Sequence, residues 1–139
     1  MAKGPESLLY QNLRENLPNS MITRLESRVG LGIPDCLIAL PPRWVMVELK
    51  VVKTGKKVKL SPHQIAFNLK HGMAGLPTFI LVLHQKTTRA PDARLLLYHG
   101  RQCQELAEQG LEAEPLDAWP YPEVDWQELR ERLIKTLEK

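Results

Sequence analysis

The first thirty positions change from a helical to an extended pattern of apolar residues. A proline at position 5 followed by leucines spaced four residues apart predicts a helix over residues 5–17. Alternating side chains over residues 21–29 then predict a strand, one face of which carries Arg24, Glu26 and Arg28. The chain is therefore expected to begin as a helix followed by a strand.

Two short apolar runs flank the proline pair at positions 41 and 42, and they predict two strands with a tight connection. A pairing symmetric about the prolines places Asp35 opposite Glu48, with Cβ atoms about 4.5–5.5 Å apart. Strand alternation places Glu48 and Lys50 on one face. Three charged side chains are therefore predicted to meet on an apolar sheet, where burial is tolerated only with partners or a metal.

The segment after this strand pair contains a turn signal and then a helix start. Residues 53–56, Lys-Thr-Gly-Lys, predict a turn at the tip of a small hairpin. Ser61 is an expected N-cap, because Pro62 follows at the first helical position and Gln64 at the third. This helix is predicted to run to about residue 71 and to stop at one of the two glycines that follow.

The remaining chain predicts two strands and two helices. Residues 77–83 and 94–98 are expected strands separated by a polar loop, and residues 100–109 a short helix. Residues 117–122 are proline-rich and predict irregular structure. Asp125 is expected to cap a last helix whose apolar stripe is Trp126, Leu129, Leu133 and Leu137. The order of elements predicts an α/β fold with a small mixed central sheet flanked by helices.

Length and composition predict the number of domains, the cellular compartment and the location of the positive charge. A chain of 139 residues is expected to form a single domain over residues 1–139. No apolar run approaches the ~20 residues of a membrane span, and no signal-peptide core precedes the first helix, so a cytoplasmic protein is expected. The net charge of +3 is compatible with nucleic acid binding. Five lysines lie within residues 50–59, next to the predicted Asp35 and Glu48 cluster.

Three separate motifs occur in order along the chain. They are Gly-Ile-Pro-Asp at residues 32–35, Glu-Leu-Lys at residues 48–50 and Ser-Pro-His-Gln at residues 61–64. In this combination the chain resembles the PD-(D/E)XK nuclease superfamily, and within it the VRR-NUC group, which is related to Holliday junction resolvases. The matching core spans about residues 6–83, and the strand and helices of residues 94–138 carry no motif of the family. The resemblance implies a restriction-endonuclease-like core.

The resemblance implies a metal site built around the two acidic residues. Asp35 and Glu48 would bind Mg²⁺, for which Mn²⁺ can substitute, and the Leu49 carbonyl and Glu6 of the first helix would complete the site. Hard oxygen ligands are those that Mg²⁺ prefers. Structural alternatives remain: Asp35 could cap a turn, Glu48 could pair with Lys50, and Glu6 could interact only with the helix dipole. Glu15 or Glu26 could also take the place of Glu6.

Further roles are implied for residues around this site. Lys50 would orient the attacking water or stabilise developing negative charge, and Gln64 matches a family glutamine near the active site. Gln64 is also the expected capping-box residue, which would by itself explain it. The expected DNA contacts, which an ordinary solvated surface would also explain, are Lys53, Lys56, Lys57, Lys59, Arg24 and Arg28.

Together these features predict a Mg²⁺- or Mn²⁺-dependent endodeoxyribonuclease in replication, recombination or repair. By resemblance its substrate would be branched DNA, such as a Holliday junction or a flap, and the protein would act as a homodimer in a prokaryotic or phage-infected cytoplasm. The alternative is a catalytically silent DNA-binding or assembly subunit with the same fold. The intact motif argues against that alternative, because two carboxylates without a metal would repel phosphate.

Overall fold

A computed structural model describes residues 4–25, 31–85 and 93–135. These residues form a mixed α/β fold with one six-stranded sheet, as the sequence predicts. The helices are α1 (Pro5–Asn16), α2 (Pro62–Met73), α3 (Cys103–Gln109) and α4 (Trp126–Lys135). The strands are β1 (Met21–Arg24), β2 (Cys36–Leu40), β3 (Arg43–Val52), β4 (Thr78–Gln85), β5 (Ala93–His99) and β6 (Asp117–Pro120).

The strands lie in the sheet in the same order as in the chain. Every neighbouring pair is antiparallel except β3 and β4, which are parallel. A parallel pair needs a long crossover, and α2 lies within that connection. Because a crossover helix packs back onto its own sheet, α2 is placed against the strand that carries Glu48 and Lys50.

Helices cover both faces of the sheet and define two hydrophobic cores. We call the side covered by α1 and α4 the α1 face, and the side covered by α2 and α3 the α2 face. In β3, Val45, Val47 and Leu49 point into the core of the α1 face. The residues that alternate with them, including Glu48 and Lys50, therefore point to the α2 face.

For two segments the sequence predicted the wrong secondary structure. Residues 117–122 are not irregular throughout, because Asp117–Pro120 pairs with β5 as an edge strand, where a proline is tolerated. Residues 53–60 contain no strand, so no hairpin forms there. This segment instead lies against the end of α3, because the Leu111 N–H donates to the Lys56 carbonyl (2.8 Å) and Val58 is buried in the second core.

Other predictions agree with the structure to within a few residues. Ser61 and Gln64 form the predicted capping box of α2. The Asp125 carboxylate accepts from the Glu128 N–H (3.0 Å) at the start of α4. The first strand ends at Arg24, while its predicted extension over residues 26–29, part of the polar loop over residues 86–92 and Leu137 lie outside the described residues. Among the described helices, none is long and apolar enough to cross a membrane.

Candidate active site

The hairpin of β2 and β3 brings Asp35 next to Glu48. Its register pairs Cys36 with Val47, so the next position outward on each strand is Asp35 and Glu48, as the symmetric pairing predicts. Among the described residues of its own loop, none donates a hydrogen bond to the Asp35 carboxylate. Its Oδ2 atom accepts from the Leu49 N–H (2.9 Å), which fixes the carboxylate over the neighbouring strand.

Glu48 is a buried carboxylate with one unpartnered oxygen. Its side chain is 3 % exposed. Oε2 accepts from Gln64 Nε2 (2.9 Å) and lies 3.8 Å from Lys50 Nζ, whereas the buried Oε1 atom has no hydrogen-bond partner in the described structure. Burial, followed by the negative charge of Asp35, raises the pKa of Glu48 to about 8, and a hydrogen bond to the Asp35 carboxylate that only the protonated form can donate acts in the same direction. A cation beside Oε1 would offset these effects.

Gln64 links the start of α2 to the two charged residues of β3. Its Oε1 atom accepts from Lys50 Nζ (3.0 Å) and from the Ser61 N–H (3.0 Å), while its Nε2 atom donates to Glu48. Gln64 therefore satisfies both roles expected from the sequence: it completes the capping box and it contacts the candidate site. The Lys50 ammonium is held by this amide rather than by Glu48 alone.

The glycine of the first motif allows the loop before Asp35 to pack against α2. Gly32 has φ +78°, a left-handed conformation that favours glycine. A Cβ atom there would lie 2.1 Å from the His63 carbonyl oxygen, closer than any van der Waals contact. Gly32 thus allows Asp35 and Gln64, which come from different elements, to approach the same carboxylate.

Sequence reasoning missed a buried asparagine that fixes α2 on the sheet. Asn68 is fully buried, its Nδ2 atom donates to the Gln64 carbonyl (2.8 Å), and its Oδ1 atom accepts from Thr78 Oγ1 (3.0 Å). Because Thr78 begins β4, these bonds join the helix that carries Gln64 to the strand beside Glu48. The only sequence signal was a polar residue four positions after Gln64.

Glu6 borders the candidate site from α1. It lines an open cleft of about 500 Å³ with Lys50 and three further lysines, and its charge is the weakest of the causes that raise the pKa of Glu48. Glu15 lies nine residues along the same helix, about 13 Å away at 1.5 Å per residue. The structure thus favours Glu6 over Glu15, and Glu26 lies outside the described residues.

The donor set fits a hard divalent cation bound by few protein ligands. The N–H and C=O groups of one residue in a strand face the same neighbouring strand. Because the Leu49 N–H faces Asp35, the Leu49 carbonyl faces the same side, just beyond the end of β2. Within residues 4–25, 31–85 and 93–135, no group of three His, Cys, Asp or Glu residues lies close enough to hold a metal ion. Two carboxylates and a carbonyl nevertheless suit Mg²⁺, which keeps several waters and binds substrate phosphate.

The predicted DNA contacts divide into two groups. Lys53, Lys57 and Lys59 line the cleft together with Lys50. Lys56 instead forms an exposed ion pair with Glu112 (3.2 Å) and does not line the cleft.

The two arginines proposed from the first strand do not join the lysines. Arg24 pairs in register with Cys36, whose side chain belongs to the core of the α1 face, so Arg24 lies on the face opposite Glu48. Its guanidinium carbon is 5.2 Å from the centre of the Tyr10 ring. Arg28 lies outside the described residues.

A scan against protein-family models and a search of the curated proteins found no match to this chain. The geometry around Asp35, Glu48, Lys50 and Gln64 is therefore the basis on which a function is inferred.

Proposed function

We propose that the protein is a Mg²⁺- or Mn²⁺-dependent endodeoxyribonuclease of the PD-(D/E)XK superfamily, of the VRR-NUC type. The observation that carries this proposal is the environment of Glu48. A buried carboxylate with an unpartnered Oε1 atom, opposite Asp35 and bonded through its other oxygen to Gln64, is costly to ionise without a cation. A structural ion pair of Lys50 with Oε2 would leave the buried Oε1 atom without a partner.

Each residue has a distinct role in the proposed reaction. A bound divalent cation lowers the pKa of a water and neutralises charge on the scissile phosphate. Asp35, Glu48 and the Leu49 carbonyl would hold that cation. Lys50 is oriented by Gln64 with Nζ beside Glu48, so it would stabilise negative charge on the phosphate or orient the attacking water.

The cleft supports DNA as the substrate. Lys53, Lys57 and Lys59 border it together with Lys50, whose ammonium lies 3.8 Å from Glu48, and lysines contact backbone phosphates without reading the sequence. Recognition of DNA shape follows, with branched DNA such as a junction or a flap as the proposed substrate. The proposed cytoplasmic location and homodimeric state belong to the same hypothesis.

Cleavage assays on plasmid, duplex, flap and four-way junction DNA test this proposal. With Mg²⁺ or Mn²⁺ the protein should cut at least one of these DNAs, and EDTA should stop the reaction. Asp35→Asn should abolish cleavage and keep DNA binding. Glu15→Gln removes a carboxylate from the far end of α1 and should leave the rate unchanged.

Two results would contradict the nuclease assignment. One is cleavage at the wild-type rate by Asp35→Asn. The other is binding of these DNAs without nicking under any metal condition, which would support the catalytically silent DNA-binding subunit instead.

A further inference from the structure

An apolar surface continues from the candidate site towards the β1 edge of the sheet. We call it the apolar shelf, and it consists of Met21, Leu37, Ala39, Trp44 and Met46. Trp44 is 59 % exposed and Met21 is 65 % exposed, and neither hydrophobic core includes Trp44 or Met46. Large exposed apolar side chains grouped in this way indicate a binding surface.

The strand register makes the shelf contiguous with the two carboxylates. Met21 pairs with Ala39, which pairs with Trp44, so the three form one row across three strands on the α2 face. The next row on that face contains Leu37 and Met46, and the row after it contains Asp35 and Glu48. Trp44 is four residues from Glu48, about 13 Å along an extended strand.

The charge of this part of the molecule favours a polyanion as the occupant. The shelf itself carries no charge, but the cleft lined by Lys50, Lys53, Lys57 and Lys59 begins two residues beyond Glu48 on β3, whereas Trp44 lies four residues before it. A ligand that extends from the shelf across the two carboxylates reaches this lysine-lined cleft next, so charge complementarity favours a polyanion. A nucleic acid strand has the complementary charge and also carries aromatic bases.

We propose that Trp44 stacks on an unpaired nucleobase of the DNA strand whose phosphate lies at Asp35 and Glu48. This inference rests on the proposed nuclease function and specifies its substrate. Bases in an intact duplex stack on one another, whereas an unpaired base exposes a face to an aromatic side chain. The separation of about 13 Å is at most about four steps of B-DNA rise, and an extended unpaired strand covers it in fewer, so the substrate has unpaired bases within about four nucleotides of the cut.

The test compares two DNAs in a background that does not cleave. The protein carries Asp35→Asn, and its affinity is measured in EDTA for a fully paired duplex and for a fork of equal phosphate number with one unpaired arm. Adding Trp44→Ala should weaken fork binding about fivefold or more and change duplex binding less than about twofold. Trp44→Phe keeps an aromatic face and should retain most of the fork affinity.

A matched control and a folding check accompany these variants. Leu8→Ala removes an apolar side chain that is 56 % exposed on α1, away from the shelf, and should affect neither DNA. Because Trp44 is mostly exposed, its variants should keep the wild-type circular dichroism spectrum and melting temperature.

The outcomes separate this inference from the nuclease assignment. If Trp44→Ala weakens the binding of both DNAs equally, or of neither, the stacking proposal is wrong while the nuclease proposal stands. If it converts a dimer into a monomer without a fork-specific loss, the shelf is a contact between copies and the stacking proposal is again wrong. If the Asp35→Asn protein binds no DNA at all, the proposed function itself fails.

Discussion

Residues 31–85 and residues 93–135 build adjoining parts of one sheet, but they use their acidic residues differently. The first region has two acidic residues among seven lysines and arginines, and it buries one of them, Glu48. The second region has nine acidic residues, none of which is buried.

Several acidic residues of the second region have structural partners. Glu128 Oε1 accepts from the indole N–H of buried Trp119 (2.7 Å). Asp117 lies 3.5 Å from Arg132, and Asp125 caps α4. A carboxylate at a helix end or on a surface thus stabilises the fold, whereas Glu48 is destabilised by its burial. Residue type therefore says less about function than burial and unsatisfied bonding capacity do.

The largest expected contrast is between Glu48→Gln and Glu128→Gln. Loss of an outer-shell partner of a metal site costs up to about 100-fold in activity. Glu48→Gln should lower the rate of metal-dependent cleavage by more than this, because it removes a metal ligand. It should also raise the melting temperature at pH 9 in EDTA, because it removes a buried charge. Glu128→Gln should keep the wild-type cleavage rate and lower stability by about 1 kcal/mol, because the bond to Trp119 is weakened.

Cleavage rates and thermal unfolding of the two variants check these opposite effects. If both variants lost stability and kept activity, the distinction between the two regions would disappear and Glu48 would be another structural carboxylate.

Glycine substitutions should give the next largest effect. Gly32 and Gly75 both have positive φ, so the left-handed backbone alone should cost alanine about 1–2 kcal/mol at either position. At Gly32 the new Cβ atom would also displace the loop before Asp35 from the His63 backbone, whereas at Gly75 it would meet nothing within 4 Å. A displacement of about 1 Å at a catalytic group can cost about 100-fold in rate.

We therefore expect Gly32→Ala to lose about 10- to 100-fold in cleavage rate at a temperature where it is folded, and Gly75→Ala to lose none. Equal rates for these two variants, measured where both are folded, would mean that Asp35 does not need its position against α2.

The smallest expected contrast is in the pH dependence of stability without metal. The pKa of Glu48 is raised from 4.5 to about 8 in the folded state. The stability that protonated Glu48 contributes to the fold is therefore complete below pH 4.5 and is lost as the pH rises through 8. Burial lowers the pKa of His99 from 6.5 to about 4. The stability that neutral His99 contributes to the fold is therefore complete above pH 6.5 and is lost as the pH falls through 4.

These two groups oppose each other between pH 4.5 and 6.5, where their combined effect should be nearly flat. Between pH 6.5 and 8 only Glu48 acts, and stability should fall by at most about 1.4 kcal/mol per pH unit. Urea unfolding in EDTA across this range should show the fall in the wild type and its absence in Glu48→Gln. A fall of equal slope in that variant would assign the effect to another group.

The sequence predicted the features that depend on residues close together in the chain. The opposition of Asp35 and Glu48 follows from a short hairpin centred on the two prolines, because few registers are available to strands so tightly connected. The capping box of Ser61 and Gln64 is likewise formed within four residues. The strand β6 was not predicted from the sequence. Its proline-rich segment has little strand character of its own and becomes a strand by pairing with β5.

Other features of the site depend on contacts distant in the chain. Lys56 resembles its lysine neighbours in sequence, but Glu112 and Leu111, more than fifty residues away, turn it from the cleft. Arg24 was expected near the lysines, yet the pairing of β1 with β2 places it on the other face.

The sequence by itself determined which charged residues share a hairpin and where α2 begins, because bonded geometry and strand alternation act over a few residues. Only the tertiary structure decided that Glu48 is buried with one oxygen unpartnered, and that Gln64 reaches both it and Lys50. The physical reason is that burial and the resulting pKa depend on what packs over a residue. Here that is α2, held in place by Asn68 and by the absence of a side chain at Gly32.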